Sequence, residues 1–215
     1  MSFVEINTNF FQNFNSLHIF VFMIFIIWLI ILIYSLRIYG INKTIRYFVP
    51  IIIAGIIGEL CAMANSGYDY PNYLFYITAL GGSLPVIIGL GWSVNLFVCL
   101  HLGKDVAKRF FKEQNFKQLF YTSLFAGLFA LCLDLLEDPL AHHNNWWIWP
   151  QSSQKIYIFT VPLTNYVGWF AIIAGMTMLT LMIDRSQFSE NRKLLVNLTV
   201  PLIFFIPLAF YFFLT

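Results

Sequence analysis

The sequence predicts an all-α membrane protein, a polytopic bundle of about six transmembrane helices. Of its 215 residues, 60% are hydrophobic and 10% are charged, whereas a soluble domain is about half apolar and about a quarter charged. Six apolar runs are each long enough to provide the about 20 residues that a helix needs to cross a bilayer. They lie near residues 17–36, 47–66, 84–102, 118–136, 160–182 and 194–214. A seventh helix would be added if residues 140–156 formed a re-entrant helix.

The chain is expected to form one membrane domain over residues 1–215. Its N-terminal segment has no basic residue before the first apolar run, and no small-residue cleavage site follows that run. We therefore expect the first run to be a retained helix and not a signal peptide. Cys61, Cys99 and Cys132 fall inside predicted spans without the spacing of a metal site, so we expect them to be small apolar residues at helix contacts.

Basic residues are confined almost entirely to one side of this bundle. Eleven of the twelve lie in the loops that follow the first, third and fifth spans, and Lys155 lies on the other side. The positive-inside rule then places these loops in the cytoplasm and both termini outside, in the cell membrane. Topology thus accounts for the basic residues, and we expect no nucleic-acid partner.

Acidic residues divide differently, because several fall in or beside the spans. Asp105, Glu113, Asp184 and Glu190 lie among the basic loops and are expected to be solvated partners of those residues. Asp134 and Asp138 lie four residues apart at the outer end of the fourth span, and so share one helix face. Glu59 lies about two turns from the outer end of the second span. Two helices therefore deliver carboxyl groups to the same depth.

These carboxyl groups are costly in a membrane, by roughly 2.5–3.5 kcal/mol each on insertion scales. The nearest cationic candidates are Lys155, His142 and His143. A carboxyl group that is buried without a cation keeps its proton near neutral pH, and a protonated carboxyl group in an apolar pocket is a general acid.

Each acid also has a structural interpretation. Asp138 could end a helix before Pro139, Glu59 could make an interhelical hydrogen bond, and Glu137 is expected to face water. His142 and His143 could bind a metal together with Asp138. However, adjacent histidines do not easily reach one ion from a regular helix, and such sites need three or more ligands. We expect no metal and no other cofactor.

Aromatic residues and prolines surround the same level of the bundle. Trp146, Trp147 and Trp149 follow the fourth span, and they could form an interfacial belt or stabilise a cation with their ring faces. Pro85 and Pro162 lie near the outer ends of the third and fifth spans. Two proline breaks at one level predict a cavity there.

The motifs of this region resemble the carotenoid hydratase family, which includes gamma-carotene hydratase and bisanhydrobacterioruberin hydratase. The resemblance covers about residues 55–185. It rests on "LDLLEDPLA", "WWIW" and "YIFTVPLTNYVGW" from Leu133 to Trp169, and on Glu59 in "GELCAMANSGYDYPNYLFY" and Trp92 in "GGSLPVIIGLGWSVN". The sequence departs from the family at Asp69-Tyr70-Pro71, where Pro-Phe-Gly is usual, and at the insert from His142 to Asn145.

The resemblance implies an integral membrane hydro-lyase that adds water to the terminal, trisubstituted double bond of an acyclic carotenoid. Asp134 or Asp138 would protonate the alkene, and the other carboxyl group or Glu59 would orient the water. The resulting tertiary carbocation would lie against an aromatic wall. Asn165 could hold the water or bind a carboxyl group, although a helix–helix contact is a structural alternative. The residues expected to line the substrate site are Trp147, Trp149, Trp92, Trp169, Tyr157 and Asn165.

Other functions use the same residues. The substrate could be the geranylgeranyl chains of archaeal ether lipids, and an isoprenoid isomerase or cyclase would use the same protonation without water. Intramembrane acids also mark proton-coupled transporters, although the sequence has no internal repeat of the kind such transporters show. A structural membrane protein would tolerate neutral substitutions of Asp134 and Glu59. The expected partners are a lipid-soluble isoprenoid, membrane lipids and other carotenoid or lipid biosynthesis enzymes.

Overall fold

The computed structural model describes residues 4–7, 14–66, 68–71, 73–79, 82–111, 115–150 and 156–199, with the backbone alone at 4–6 and 64–66. The four long helices are α1 (Ser16–Ser66), α2 (Val86–Phe110), α3 (Phe116–His143) and α4 (Leu163–Arg185), and α5 covers residues 190–199. The short strands are β1 (Val4–Ile6), β2 (Phe75–Ala79), β3 (Gly82–Pro85), β4 (Tyr157–Ile158) and β5 (Val161–Pro162).

Among the described residues, four helices are long and apolar enough to cross a membrane. Helix α1 runs for 51 residues, which at about 1.5 Å per residue is far longer than a bilayer is thick. Its backbone leaves the helical conformation at Gly40, where φ is 75° and ψ is 173°. Glycine takes this left-handed φ without the clash that a Cβ would make. Gly40 therefore divides α1 into two limbs.

The two limbs of α1 fold back on each other and correspond to the first and second predicted spans. Ser35 and Thr44 hydrogen-bond across the bend at 2.9 Å, and Leu17 and Phe20 of the first limb pack in one cluster with Leu60 of the second limb. The prediction of about six spans is not confirmed, because four helices of the described residues are long and apolar enough to be spans. Most of the sixth predicted span, 194–214, lies outside the described residues.

The all-α prediction is confirmed for the bundle, and the short strands form small sheets at one end of it. Strands β1, β2 and β3 form a three-stranded antiparallel sheet, and β4 pairs with β5. Between α3 and β4 the described residues form turns, bends and an isolated bridge, so residues 144–150 do not form the alternative re-entrant helix. We call this end of the bundle, which carries strands β1 to β5, the pocket end, because the pocket described in the next subsection lies near it.

Pro85 and Pro162 do not form the breaks in membrane spans that the sequence predicts. Pro85 and Pro162 each stand immediately before the first residue of a helix, in extended conformation, so neither proline breaks a span. Pro139 lies inside α3, which continues to His143. The interpretation that Asp138 ends its helix before Pro139 is therefore wrong.

The loops at the opposite end, which we call the basic end, are joined by ion pairs. Arg46, just after the bend in α1, has a buried side chain and contacts Asp184 at 3.1 Å and Glu190 at 2.6 Å. Arg185 donates to the carbonyl oxygen of Asn115 at 3.1 Å. The three basic loops thus meet at one end. Asp184 was expected to be solvated, but it is largely buried because it lies against Arg46.

Candidate functional site

Glu59 is a buried carboxylate acceptor on the second limb of α1. Its Oε1 accepts from the indole N–H of Trp92 at 2.9 Å. Its Oε2 accepts from the hydroxyl groups of Tyr70, at 2.9 Å, and Tyr68. A Cβ at Gly55 would lie 2.6 Å from Cγ of Trp92, so this glycine makes room for the indole ring. The expected interhelical hydrogen bond is present, and Glu59 also lines a pocket.

The two tyrosines that bind Glu59 lie in the loop between α1 and β2. Burial raises the pKa of the Tyr68 and Tyr70 phenols well above their ordinary value, and the neighbouring Glu59 raises it further. Both phenols therefore remain protonated donors. Residues 68 and 70 alternate in an extended segment, which places their side chains on the same face.

Asp134 and Asp138 are bridged by a single amide. Both are buried on the inward face of α3. The Nδ2 of Asn165, in the first turn of α4, lies 3.1 Å from Oδ2 of Asp134 and 2.5 Å from Oδ2 of Asp138. The carboxyl groups therefore lie side by side, as their spacing on the helix predicts. Asp138 lines the pocket, whereas Asp134 is fully buried and is not among the described lining residues.

A pocket lies between these two carboxyl centres, and residues of all four long helices line it. Trp92 and Trp169 stack in its wall, with ring centroids 4.3 Å apart and planes 19° apart. Trp147 and Trp149, in the loop after α3, also line the pocket. Phe20 and Ile24 also line the pocket, so the first limb of α1, which carries none of the quoted motifs, contributes to the site.

Two loops close the pocket end of the cavity. Asp69 and Ile148 exchange backbone hydrogen bonds of 3.0 and 3.4 Å between the loop after α1 and the loop after α3. The ring of Tyr68 lies 4.3 Å from that of Trp149, whose backbone N–H donates to Nδ1 of His142 at 3.2 Å. We call the pair of loops, residues 68–70 and 146–149, the roof. The side chain of His142 thus anchors the roof loop that contains Trp149.

Most of the residues expected at the site do meet there. Glu59, Asp138, Trp92, Trp147, Trp149, Trp169 and Asn165 line the pocket. Trp146, Trp147 and Trp149 are all buried, so the interfacial-belt interpretation is wrong for them. Glu137, expected to face water, lines the pocket and is half-buried.

Tyr157 is not among the described lining residues. Its hydroxyl group donates to the carbonyl oxygen of Pro150 at 2.9 Å, and its backbone pairs with Pro162 in the β4–β5 hairpin. Sequence reasoning missed Tyr68, Tyr70 and Asn95 as lining residues. The alternation of the two tyrosines was the available signal for them.

The fold and the site define a helical membrane protein with a carboxyl-containing aromatic pocket near one end. The family model described as "Carotenoid biosynthesis protein" matches residues 19–215, and the chain belongs to this family. The match includes the first limb of α1, which lines the pocket. Family membership indicates a role in carotenoid biosynthesis, in agreement with the resemblance stated above. Comparisons with curated proteins and with solved structures found no match.

Proposed function

We propose that this protein is a cofactor-independent hydro-lyase of the membrane that adds water to the terminal trisubstituted double bond of an acyclic carotenoid. One observation carries the proposal. Two chemically different carboxyl centres, the Asp134–Asp138 pair and Glu59, flank one aromatic pocket in an apolar bundle. Hydration of an isolated alkene needs a proton donor, a shield for a carbocation and an acceptor for a proton of water.

Asp138 is the proposed proton donor. It lines the pocket, whereas Asp134 is fully buried and is not among the described lining residues, and Asn165 holds both in place. Two carboxyl groups this close retain a proton between them, because like charges repel. Transfer of that proton to the less substituted alkene carbon breaks the π bond and leaves a tertiary cation.

The indole rings are the proposed shield for this cation. Trp92 and Trp169 present stacked rings to the pocket, and Trp147 and Trp149 line it near the roof. The negative face of an indole ring stabilises a nearby cation by about 0.5–2 kcal/mol. The ring does not form a covalent bond with the cation. The cation is thereby stabilised without being consumed by a side chain.

Glu59 is the proposed acceptor. Its neighbours Tyr68, Tyr70 and Trp92 all donate to it, and these hydrogen bonds favour the ionised form, which is the form that can accept a proton. A water oxygen bonds to the tertiary carbon, and one of its protons passes to Glu59. The alkene and water thus become a tertiary alcohol. The proton gained by Glu59 returns to Asp138, through the pocket or by exchange with solvent, before the next turnover.

The test is to express the protein in a host that makes acyclic carotenoids and geranylgeranyl ether lipids. Lipid extracts are analysed by mass spectrometry for products heavier by one water, and growth in heavy-oxygen water identifies the source of the hydroxyl group. The variants are Asp138→Asn and Glu59→Gln. The matched control is Asp105→Asn, an exposed carboxyl group at the basic end.

A hydrated carotenoid that disappears in both pocket variants and persists in the control is the expected result. A hydrated ether lipid would support the same mechanism but show that the substrate is an ether lipid and not a carotenoid. If carotenoids are isomerised or cyclised without oxygen uptake, or if both lipid pools stay unchanged while the protein is folded in the membrane, the hydratase proposal is wrong.

A further inference from the structure

We propose that Asn95 binds the attacking water, an inference that rests on the proposed hydration. Asn95 lies on α2, lines the pocket and is half-buried. Among the described residues its amide has no hydrogen-bond partner, and the other lining residues of α2 are Ile87, Ile88, Gly91 and Trp92. A half-buried amide without a partner is costly unless it binds something polar.

Asn165, the amide that the sequence offers for holding water, is already engaged. Its Nδ2 lies within 3.3 Å of three oxygen atoms of Asp134 and Asp138. The two asparagines that line the pocket therefore have different tasks. Asn165 holds the proton-donor pair, and Asn95 is the one whose polar atoms are available to a ligand.

Asn95 lines the pocket one helical turn after Trp92, the residue of α2 that binds Glu59. Helix α2 begins at the pocket end, and side chains of a helix tilt towards its N-terminus. We therefore infer that the amide lies towards the level of Trp92. The indole N–H of Trp92 donates to Oε1 of Glu59 at 2.9 Å. A water at this level is placed to meet both the carboxyl group and the amide.

Gly91 leaves space for that water. It also lines the pocket, four residues before Asn95, and a Cβ at this position would have its nearest neighbour, on Ile24, at 4.0 Å. A residue with a side chain would fill the gap between α2 and the first limb of α1. The missing side chain keeps the amide open to the cavity.

The water would use its two protons and one lone pair differently. One O–H donates to Glu59 and the other donates to Oδ1 of Asn95, so a lone pair points at the cation. When the carbon–oxygen bond forms, the first proton passes to Glu59. The second proton stays on the product hydroxyl group, which remains hydrogen-bonded to Asn95. Asn95 thus decides between capture of the cation by water and loss of a proton from it.

The experiment measures this partition in membranes suspended in deuterated water. A cation formed by deuteron transfer either captures water as a hydrate or loses a protium as a deuterium-labelled alkene, unless it returns the deuteron and reverts to substrate; mass spectrometry counts the first two products. Asn95→Leu removes the acceptor with little change in size. The matched control is Asn197→Leu, which removes a buried amide on α5, outside the described pocket lining.

For Asn95→Leu we expect the ratio of labelled alkene to hydrate to rise at least about tenfold, the effect of losing one hydrogen bond to a reacting group. The sum of the two products should stay within about twofold, because protonation by Asp138 is untouched. Asn197→Leu should keep the wild-type ratio. If Asn95→Leu does not fold, Asn95→Ala gives the same readout in a smaller side chain.

An unchanged ratio, with both products falling together, would show that Asn95 is only structural and would overturn the inference. That result leaves hydration by the wild-type protein intact. If the wild-type protein forms no hydrate at all, the proposed function fails, and the role of Asn95 fails with it. The two failures are therefore distinguishable.

Discussion

Glu59 and Asp138 face the same pocket but have opposite surroundings. Glu59 is contacted by three donors from two other parts of the chain, the loop after α1 and helix α2. Asp138 shares the Asn165 amide with a second acid, Asp134. This difference in neighbours, and not the difference in side-chain length, is the basis for the separate acid–base roles that we propose for the two carboxyl groups.

The tyrosines that bind Glu59 provide a prediction at this scale. Tyr70→Phe removes a hydroxyl donor 2.9 Å from Oε2, and a hydrogen bond to a charged group contributes about 1.5–3 kcal/mol. We expect the rate of hydrate formation to fall by about tenfold or more, with the fold retained. The measurement is hydrated carotenoid formed per amount of folded protein.

Tyr157→Phe is the matched comparison for that prediction. Its hydroxyl group donates to Pro150, away from the described pocket lining, so we expect wild-type activity. A loss of activity in Tyr157→Phe with none in Tyr70→Phe would restore the assignment implied by the family resemblance and would contradict the geometry.

Helices α2 and α3 approach each other closely enough to require glycine at one contact. A Cβ at Gly103 would lie 2.5 Å from the carbonyl oxygen of Thr122 and 2.8 Å from the backbone nitrogen of Ala126. Backbone atoms cannot rotate away as a flexible side chain can. This contact brings α3, and with it Asp134 and Asp138, against the helix that carries Trp92 and Asn95.

Gly103→Ala is therefore expected to destabilise the bundle by about 1–3 kcal/mol, the usual cost of overpacking. The matched control is Gly175→Ala on α4, where an added Cβ would meet nothing within 4 Å and should change stability by no more than about 1 kcal/mol, in the stabilising direction. Thermal unfolding of the purified proteins in one detergent compares them. Equal midpoints for the two variants would show that the helices are not packed as described.

The whole molecule has one end joined by ion pairs and one end that contains the pocket. Lys43, Arg46 and Asp184 link the bend of α1 to the end of α4 at the basic end. The carboxyl groups of the site lie towards the other end, beneath the roof. The positive-inside rule then predicts that the basic end faces the cytoplasm.

Cysteine labelling tests that orientation. In a background without Cys61, Cys99 and Cys132, single cysteines are introduced at Asp105 and Asn145, both of which are exposed. We expect a membrane-impermeant maleimide to label Asn145→Cys in intact cells and Asp105→Cys only after permeabilisation. The reverse pattern would place the pocket end in the cytoplasm.

Sequence reasoning predicts much of this arrangement, because hydrophobic length fixes the spans. Helical spacing likewise fixes the shared face of Asp134 and Asp138. Prediction from the sequence fails where short loop segments pair with each other. The bridge between Asp69 and Ile148 and the strands around Tyr157 depend on contacts between distant parts of the chain, and no local periodicity marks them. For the same reason, Tyr68 was not expected in the lining, and Tyr157, which was expected there, lies outside the described lining.

The bend at Gly40 also bears on how the chain enters the membrane during synthesis. The second limb carries Glu59, and an intramembrane carboxyl group opposes insertion by roughly 2.5–3.5 kcal/mol. The first limb has no charged residue between Ser16 and Leu36. Since the corner between them is tight, the two limbs are able to leave the translocon as a helical hairpin. The uncharged limb then offsets the insertion cost of its acidic neighbour.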